Sequence, residues 1–267
     1  MRKIRQLTGS KVEELRQNVF VIRQLVARDK KRSVSSTFMG ELWEILNPLI
    51  NMVVMVLVFG QMFGKGTVGS FPLYVLTGTT IYGLFTSGTT MCLNALMGNK
   101  SFLIKTQLSK NVYVVQKIWL AFRNFLFSLL IYAFVIALYR IPPSVTWLLF
   151  IPDIALMLIM MLGIGKILAI INVTFADITY FYKIFTLFLM YGSAIFYRID
   201  RLSPTMQKVM TILNPLYTVI SIARECVMER AYPNWKFWVI VSVYSCGCYV
   251  IGTVFFNRKI EDIVAKM

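Results

Sequence analysis

Long apolar runs alternate along this chain with short polar and basic connectors. A helix that crosses the hydrocarbon core of a bilayer needs about 20 mostly apolar residues. Six runs meet or approach that length: Leu46–Phe63, Phe71–Met97, Ile118–Tyr139, Trp147–Val173, Tyr180–Tyr197 and Trp238–Phe256. Between the fifth and the sixth, residues 198–236 carry mixed charge and two shorter apolar pieces interrupted by Pro215. That pattern predicts two short helices that dip into the outer leaflet and return. Before the first run, Ser10 and Glu13 have the spacing of a capping box. Leu15, Val19, Ile22 and Val26 then recur at helical spacing, flanked by Arg16, Arg23 and Arg28. Such a helix lies along the membrane interface, as an anchor or as a receiver for a cytosolic partner. The expected fold is therefore all-α and membrane-embedded. It has six transmembrane helices, an N-terminal amphipathic interface helix and a re-entrant outer hairpin before the last span. The predicted divisions are a cytosolic segment 1–45, a transmembrane domain 46–256 and a cytosolic tail 257–267.

Composition supports this reading. Of the 267 residues, 57% are hydrophobic and 15% charged, with a mean hydropathy of +0.67. A soluble domain carries about a quarter charged residues, so this chain lacks the polar surface to cover a water-soluble fold. The net charge of +16 then reads as the basic edge of a membrane protein rather than as a nucleic-acid surface. Segment 1–45, loop 98–117 and the tail together hold seventeen Lys and Arg, against eight on the opposite side. The positive-inside rule places both termini in the cytosol. No cleaved signal peptide is indicated, because no small-residue cleavage site follows an apolar core near the start.

The residues exclude several chemistries. Histidine is absent, and with it His general acid–base catalysis, His metal ligands and His proton relays. Cys92, Cys226, Cys246 and Cys248 form no disulfide framework. No phosphate-binding G-x-x-x-x-G-K-[ST] loop and no G-x-S-x-G elbow occur. Active transport would need ATP to be handled by another polypeptide. Charges near spans are Arg123, Asp153, Lys166, Asp177 and Lys183. Arg123, Asp177 and Lys183 lie where they reach the cytosolic interface, and Asp153 is expected to reach outer headgroups. Lys166 is deeper and the most unusual. With no carboxylate pair near the midplane, a proton-coupled carrier is disfavoured, and so is a membrane-embedded enzyme acting on lipid-linked sugars.

Two stretches invite function. The second run is rich in Thr, Ser and Gly, which permit close helix packing or line a polar conduit. Tyr74, Tyr82 and Phe85 punctuate it, and their rings serve equally as packing residues or as stacking faces for sugars. Loop 98–117 is basic, holding Lys100, Lys105, Lys110 and Lys117 without an acid. It also carries Phe102, Leu103, Ile104 and Leu108. It is either a solvated positive-inside loop or a short helix whose apolar knob enters a partner's groove.

Three motifs in order resemble a known family, the membrane (permease) subunit of type-2 ATP-binding-cassette exporters. Gly40-Glu41-Leu42-Trp43-Glu44-Ile45-Leu46-Asn47-Pro48-Leu49 is similar to the family's G-x-L-W-x-x-L-x-P-L start of the first span. Asn99 to Lys110 resembles its coupling-helix region, and Leu213-Asn214-Pro215-Leu216-Tyr217 resembles the N-P-L element before its last span. Arg28-Asp29-Lys30-Lys31-Arg32-Ser33 keeps the basic charge of the family's segment before the first motif but lacks its Arg-Tyr pair. The closest branch looks like the exporters of teichoic acid, O-antigen and other lipid-linked polysaccharides. The resemblance implies a bacterial cytoplasmic membrane protein that pairs with a second copy of itself and with two copies of an ATPase subunit. ATP and Mg would be bound there, and no cofactor by this chain. Phe102, Leu103, Ile104, Lys105, Leu108 and Lys110 would couple to the ATPase, together with the interface helix. Trp43, Tyr74, Tyr82 and Phe85 are candidates for lining a channel or contacting glycan. Asn214, Pro215 and Tyr217 would belong to the outer gate. Membrane lipids and the lipid-linked glycan complete the partners, and no nucleic acid is expected. A permease for a drug or small lipid shares the fold and is the alternative.

Overall fold

The computed structural model describes residues 16–31, the helical positions 46, 49, 50, 53, 54 and 57, and residues 71–105 and 109–266. Among the described residues the regular structure is helical throughout. Helix α1 covers 16–31. It is followed by α2 (Phe71–Leu93), the short α3 (Lys100–Lys105), α4 (Asn111–Leu138), α5 (Phe150–Thr174) and α6 (Ile178–Gly192). The chain closes with α7 (Pro204–Leu213), α8 (Pro215–Arg224) and α9 (Trp235–Lys266).

Three of these helices are long and apolar enough to cross a membrane: Asn111–Leu138, Val145–Thr174 and Trp235–Ala265. Each has 28 or more residues, roughly 42 Å at 1.5 Å per residue. The predicted first span, Leu46–Phe63, falls almost wholly outside the described residues. Its described positions Ile50, Val53, Val54 and Leu57 are exposed. Helix α2 is buried over 13 of its 23 residues, between α4 and α5. Much of its polar content suits that place because four threonine hydroxyls find acceptors within their own helix, whereas that of buried Thr80 has no partner. Thr77, Thr79, Thr86 and Thr89 donate to the carbonyls of Leu73, Val75, Tyr82 and Phe85 at 2.6–2.9 Å.

Several boundaries differ from the sequence reading. Helix α6 stops at Gly192, short of the predicted Tyr197, because the chain turns sharply at Ala194 (φ 48°). Its 15 residues measure roughly 22 Å, less than the hydrocarbon core. Helix α4 begins at Asn111, inside the loop predicted for 98–117. Helix α9 runs past Phe256 into the predicted tail, since Ile260 and Ile263 still find buried contacts. Asp153 corrects the expectation that it reaches outer headgroups: it is 0% exposed, and neither carboxylate oxygen has a partner. Asp153 lies in the first turn of α5, beneath the turn Val145–Leu149, which Ser144 caps. The Thr146 hydroxyl there donates to the Cys226 carbonyl at 2.8 Å and roofs the site with the π-helical turn Glu225–Glu229.

The most extensive helix pair is α5 with α9. They cross at two glycines, where a Cβ on Gly163 would collide with the Cys248 carbonyl and one on Gly252 with the Gly163 carbonyl. Only residues without side chains permit this backbone contact. Lys166 lies one turn on, 4% exposed. Its ammonium donates to Thr253 Oγ1 at 2.8 Å and sits 4.7 Å from the centroid of the Tyr249 ring. The unusual lysine is thus a cross-helix tie that completes the α5–α9 pair.

Candidate functional site

Two sites emerge, one at each end of the bundle. At the end rich in basic residues, α1 is joined to the connector between α2 and α4. Asp29 is the knot. Its Oδ1 accepts from Arg28 Nε and Nη2 at 3.0 and 2.7 Å, and its Oδ2 from Gln116 Nε2 and Lys117 Nζ at 2.8 and 2.6 Å. Burial pushes the Asp29 carboxyl up, but hydrogen bonds from Lys117, Arg28 and Gln116 outweigh it and hold it at about 2. Arg28 reaches further. Its Nη2 donates to Asn99 Oδ1 at 2.8 Å, and its guanidinium lies 5.3 Å from the centroid of the Phe102 ring. Asn99, itself buried, donates to the Ala95 carbonyl at 2.8 Å. Through these contacts α1, the connector and the start of α4 form one polar joint.

This joint places the predicted coupling residues. Leu103 is buried and anchors α3, while Phe102 is 47% exposed on the outer side of the joint. Lys110 is half-buried just before α4. Ile104 and Lys105 continue the α3 backbone. Leu108, Leu15 and Trp43 lie outside the described residues. Along α1 the predicted stripe is packed at its C-terminal end. Leu25 and Val26 are buried and Ile22 partly so, but Val19 is 59% exposed and its neighbour Phe20 63%. Asp29 was not singled out from the sequence; its signal was a lone acid in a basic run, facing a loop that has none.

At the other end, the Asn214-Pro215 motif works as a hinge piece. Asn214 Oδ1 accepts from the backbone N–H groups of Leu216 and Tyr217 at 3.1 and 3.2 Å, capping α8, with Pro215 at its first position. Its Nδ2 donates to the Gly192 carbonyl and Ser193 Oγ at 2.8 and 3.0 Å. One side chain thereby starts α8 and ties it to the end of α6. Tyr217 is buried beside it.

Arg224, at the end of α8, was counted in the sequence only as one more outer base. It is buried, with its guanidinium 3.4 Å from the centroid of the Tyr74 ring. Its Nη1 donates to the Ala194 carbonyl at 3.0 Å, and its Nη2 to the carbonyls of Tyr74 and Ile195 at 3.2 and 3.3 Å. The Tyr74 hydroxyl donates to the carbonyls of Ala194 and Tyr197 at 3.2 and 3.0 Å. Of the other aromatic candidates on α2, Tyr82 donates to the Thr186 carbonyl at 2.9 Å, and Phe85 is buried in the main core. Among the described residues, no group of His, Cys, Asp and Glu is arranged to hold a metal.

A family model described as "ABC-2 type transporter" matches residues 21–228. O-antigen export system permease protein RfbA of Klebsiella pneumoniae is 25% identical over 232 residues, covering 86% of this chain and 88% of that protein. The protein of the same name in Myxococcus xanthus is 24% identical over 252 residues, covering 94% and 96%. Polysialic acid transport protein KpsM of Escherichia coli is 23% identical over 257 residues, covering 92% and 95%.

Proposed function

This chain belongs to the ABC-2 type transporter family, as a permease of its polysaccharide-export branch, and we propose that it moves a lipid-linked polysaccharide of the O-antigen or teichoic acid type. It works in the bacterial cytoplasmic membrane with both termini in the cytosol. Two copies enclose the conduit, and two copies of a separate ATPase subunit bind ATP and Mg. The support from relatives is nearly full-length alignment to proteins named for O-antigen export and polysialic acid transport.

The observation that carries the mechanism is the joint built on Asp29. Phe102, Val19 and Phe20 are exposed on one polar body, which Lys117 and Gln116 fasten to α4. An ATPase that grips Phe102 displaces α1, the connector and α4 together. ATP binding, by favouring one arrangement of the two ATPase subunits, shifts the population of membrane-domain states through this body. The outer hairpin α7–α8, pinned by Asn214 and Arg224, is the element that must yield for the chain to leave.

The test is Phe102→Asp in the complete complex. Expression and melting temperature should hold, while ATP turnover coupled to transport is lost. Unchanged docking and turnover would refute the assigned contact. A strain lacking this chain should accumulate undecaprenyl-linked glycan in the cytosol-facing leaflet. Absence of that accumulation would favour a permease for a small lipid or drug.

A further inference from the structure

Beside the Arg224–Tyr74 stack, the start of α2, the segment after α6 and α8 enclose a cleft of about 180 Å³. Tyr74 and Arg224 form its floor, Arg198 and Asp200 one rim, and Glu225 and Glu229 the other. Three features bear on its ligand. First, its polar groups are mixed: two guanidinium groups and three carboxylates, so a phosphate or a cation gains little net attraction there. Second, Arg224 is buried, and its Nε–H has no acceptor, although Nη1 donates to one carbonyl and Nη2 to two. A buried unpaired donor in a cleft wall calls for an acceptor from outside. Third, the rim carboxylates keep acceptor capacity. Asp200 is exposed and pairs only with Arg198 at 3.1 Å, and Glu225 Oε2 takes the Asn234 N–H at 3.2 Å.

Donors and acceptors interleaved around a tyrosine match a ligand whose every hydroxyl both donates and accepts. We propose that this cleft is a saccharide-binding subsite for one neutral sugar unit. Sugar hydroxyls donate to Asp200, Glu225 and Glu229 and accept from the guanidinium groups, while the edges of Tyr74 and Tyr217 meet the apolar face of the ring. The volume admits one sugar ring. This deepens the export reading above and rests on it. The cleft adjoins the Arg224 anchor of the hairpin, so a sugar seated there touches the element proposed to yield during export.

The experiment uses the permease–ATPase complex in lipid nanodiscs, with methyl glycosides of glucose, galactose, mannose and rhamnose as probes and glucuronic acid as the charged control. Saturation-transfer NMR reads the binding. At least one neutral glycoside should bind, and the double variant Asp200→Asn/Glu229→Gln should weaken it tenfold or more. Both side chains are exposed, so the variant should keep the wild-type melting temperature. The proposal is overturned if no neutral glycoside binds, if the double variant binds equally well, or if glucuronic acid binds best. Export is read separately, by undecaprenyl-linked glycan accumulation in cells. Normal binding without that phenotype sinks the export reading and spares the cleft; the phenotype without binding does the reverse.

Discussion

The guanidinium of Arg224 and the ring of Tyr74 are stacked 3.4 Å apart, measured to the ring centroid, and this pair holds the hairpin helix α8 against the start of α2. The cation is compensated by a π face and three backbone carbonyls, with no carboxylate bonded to it. Such an arrangement is sensitive to deletion, because the buried carbonyls lose their donor together with the charge.

Arg224→Ala should therefore destabilise the protein by about 2–4 kcal/mol, read as a lower melting temperature in detergent. Arg224→Lys should recover only part of the loss, since an ammonium cannot lie flat on the ring and reach three carbonyls at once. Equal stability of Arg224→Ala and wild type would show that the stack contributes nothing.

Asn214→Ala removes the cap of α8 and the tie to Gly192 in one step. A lost cap costs about 1 kcal/mol, and the unpaired Gly192 carbonyl adds to it. Hydrogen exchange should rise at the amides of Leu216 and Tyr217 before it rises elsewhere. Protection that stays uniform would contradict the double role.

The joint at Asp29 has a defined pH response. Its carboxyl titrates at about 2 when folded, against an ordinary value of 3.8. The stabilisation is thus complete above 3.8 and is lost as pH falls from there toward about 2. Exchange protection of residues 16–31 should decline over that window in the wild type. In Asp29→Asn it should be low at every pH, with coupled ATP turnover reduced.

The crossing of α5 and α9 separates shape from charge. Gly252→Ala should cost about 1–3 kcal/mol by forcing the helices apart. Lys166→Met, which keeps the volume and discards the ammonium, should be close to neutral. Thermal melting of both variants decides it, and a severe loss in Lys166→Met would show that the ammonium's bond to Thr253 holds the pair together.

What the chain discloses by itself follows from which interactions have a period. Three of the six predicted spans, Ile118–Tyr139, Trp147–Val173 and Trp238–Phe256, coincide with helices long and apolar enough to cross a membrane, because burial in lipid demands long apolar runs. The places of Asp29, Arg224 and Lys166 were not readable. Each is set by a partner distant in sequence: Gln116 and Lys117 for the first, Tyr74 for the second, Thr253 for the third. The threonines of α2 were readable only as a pair of alternatives. Their number allowed close helix packing or a polar conduit, and the hydroxyls of Thr77, Thr79, Thr86 and Thr89 bond to their own helix.

Helix α9 runs without a break from Trp235 to Lys266, and at Gly252 it is seated directly on the backbone of α5. Neither rod can slide along its mate without riding up over a carbonyl. The two are therefore held in one register along their length, and displacing either helix axially means displacing its mate.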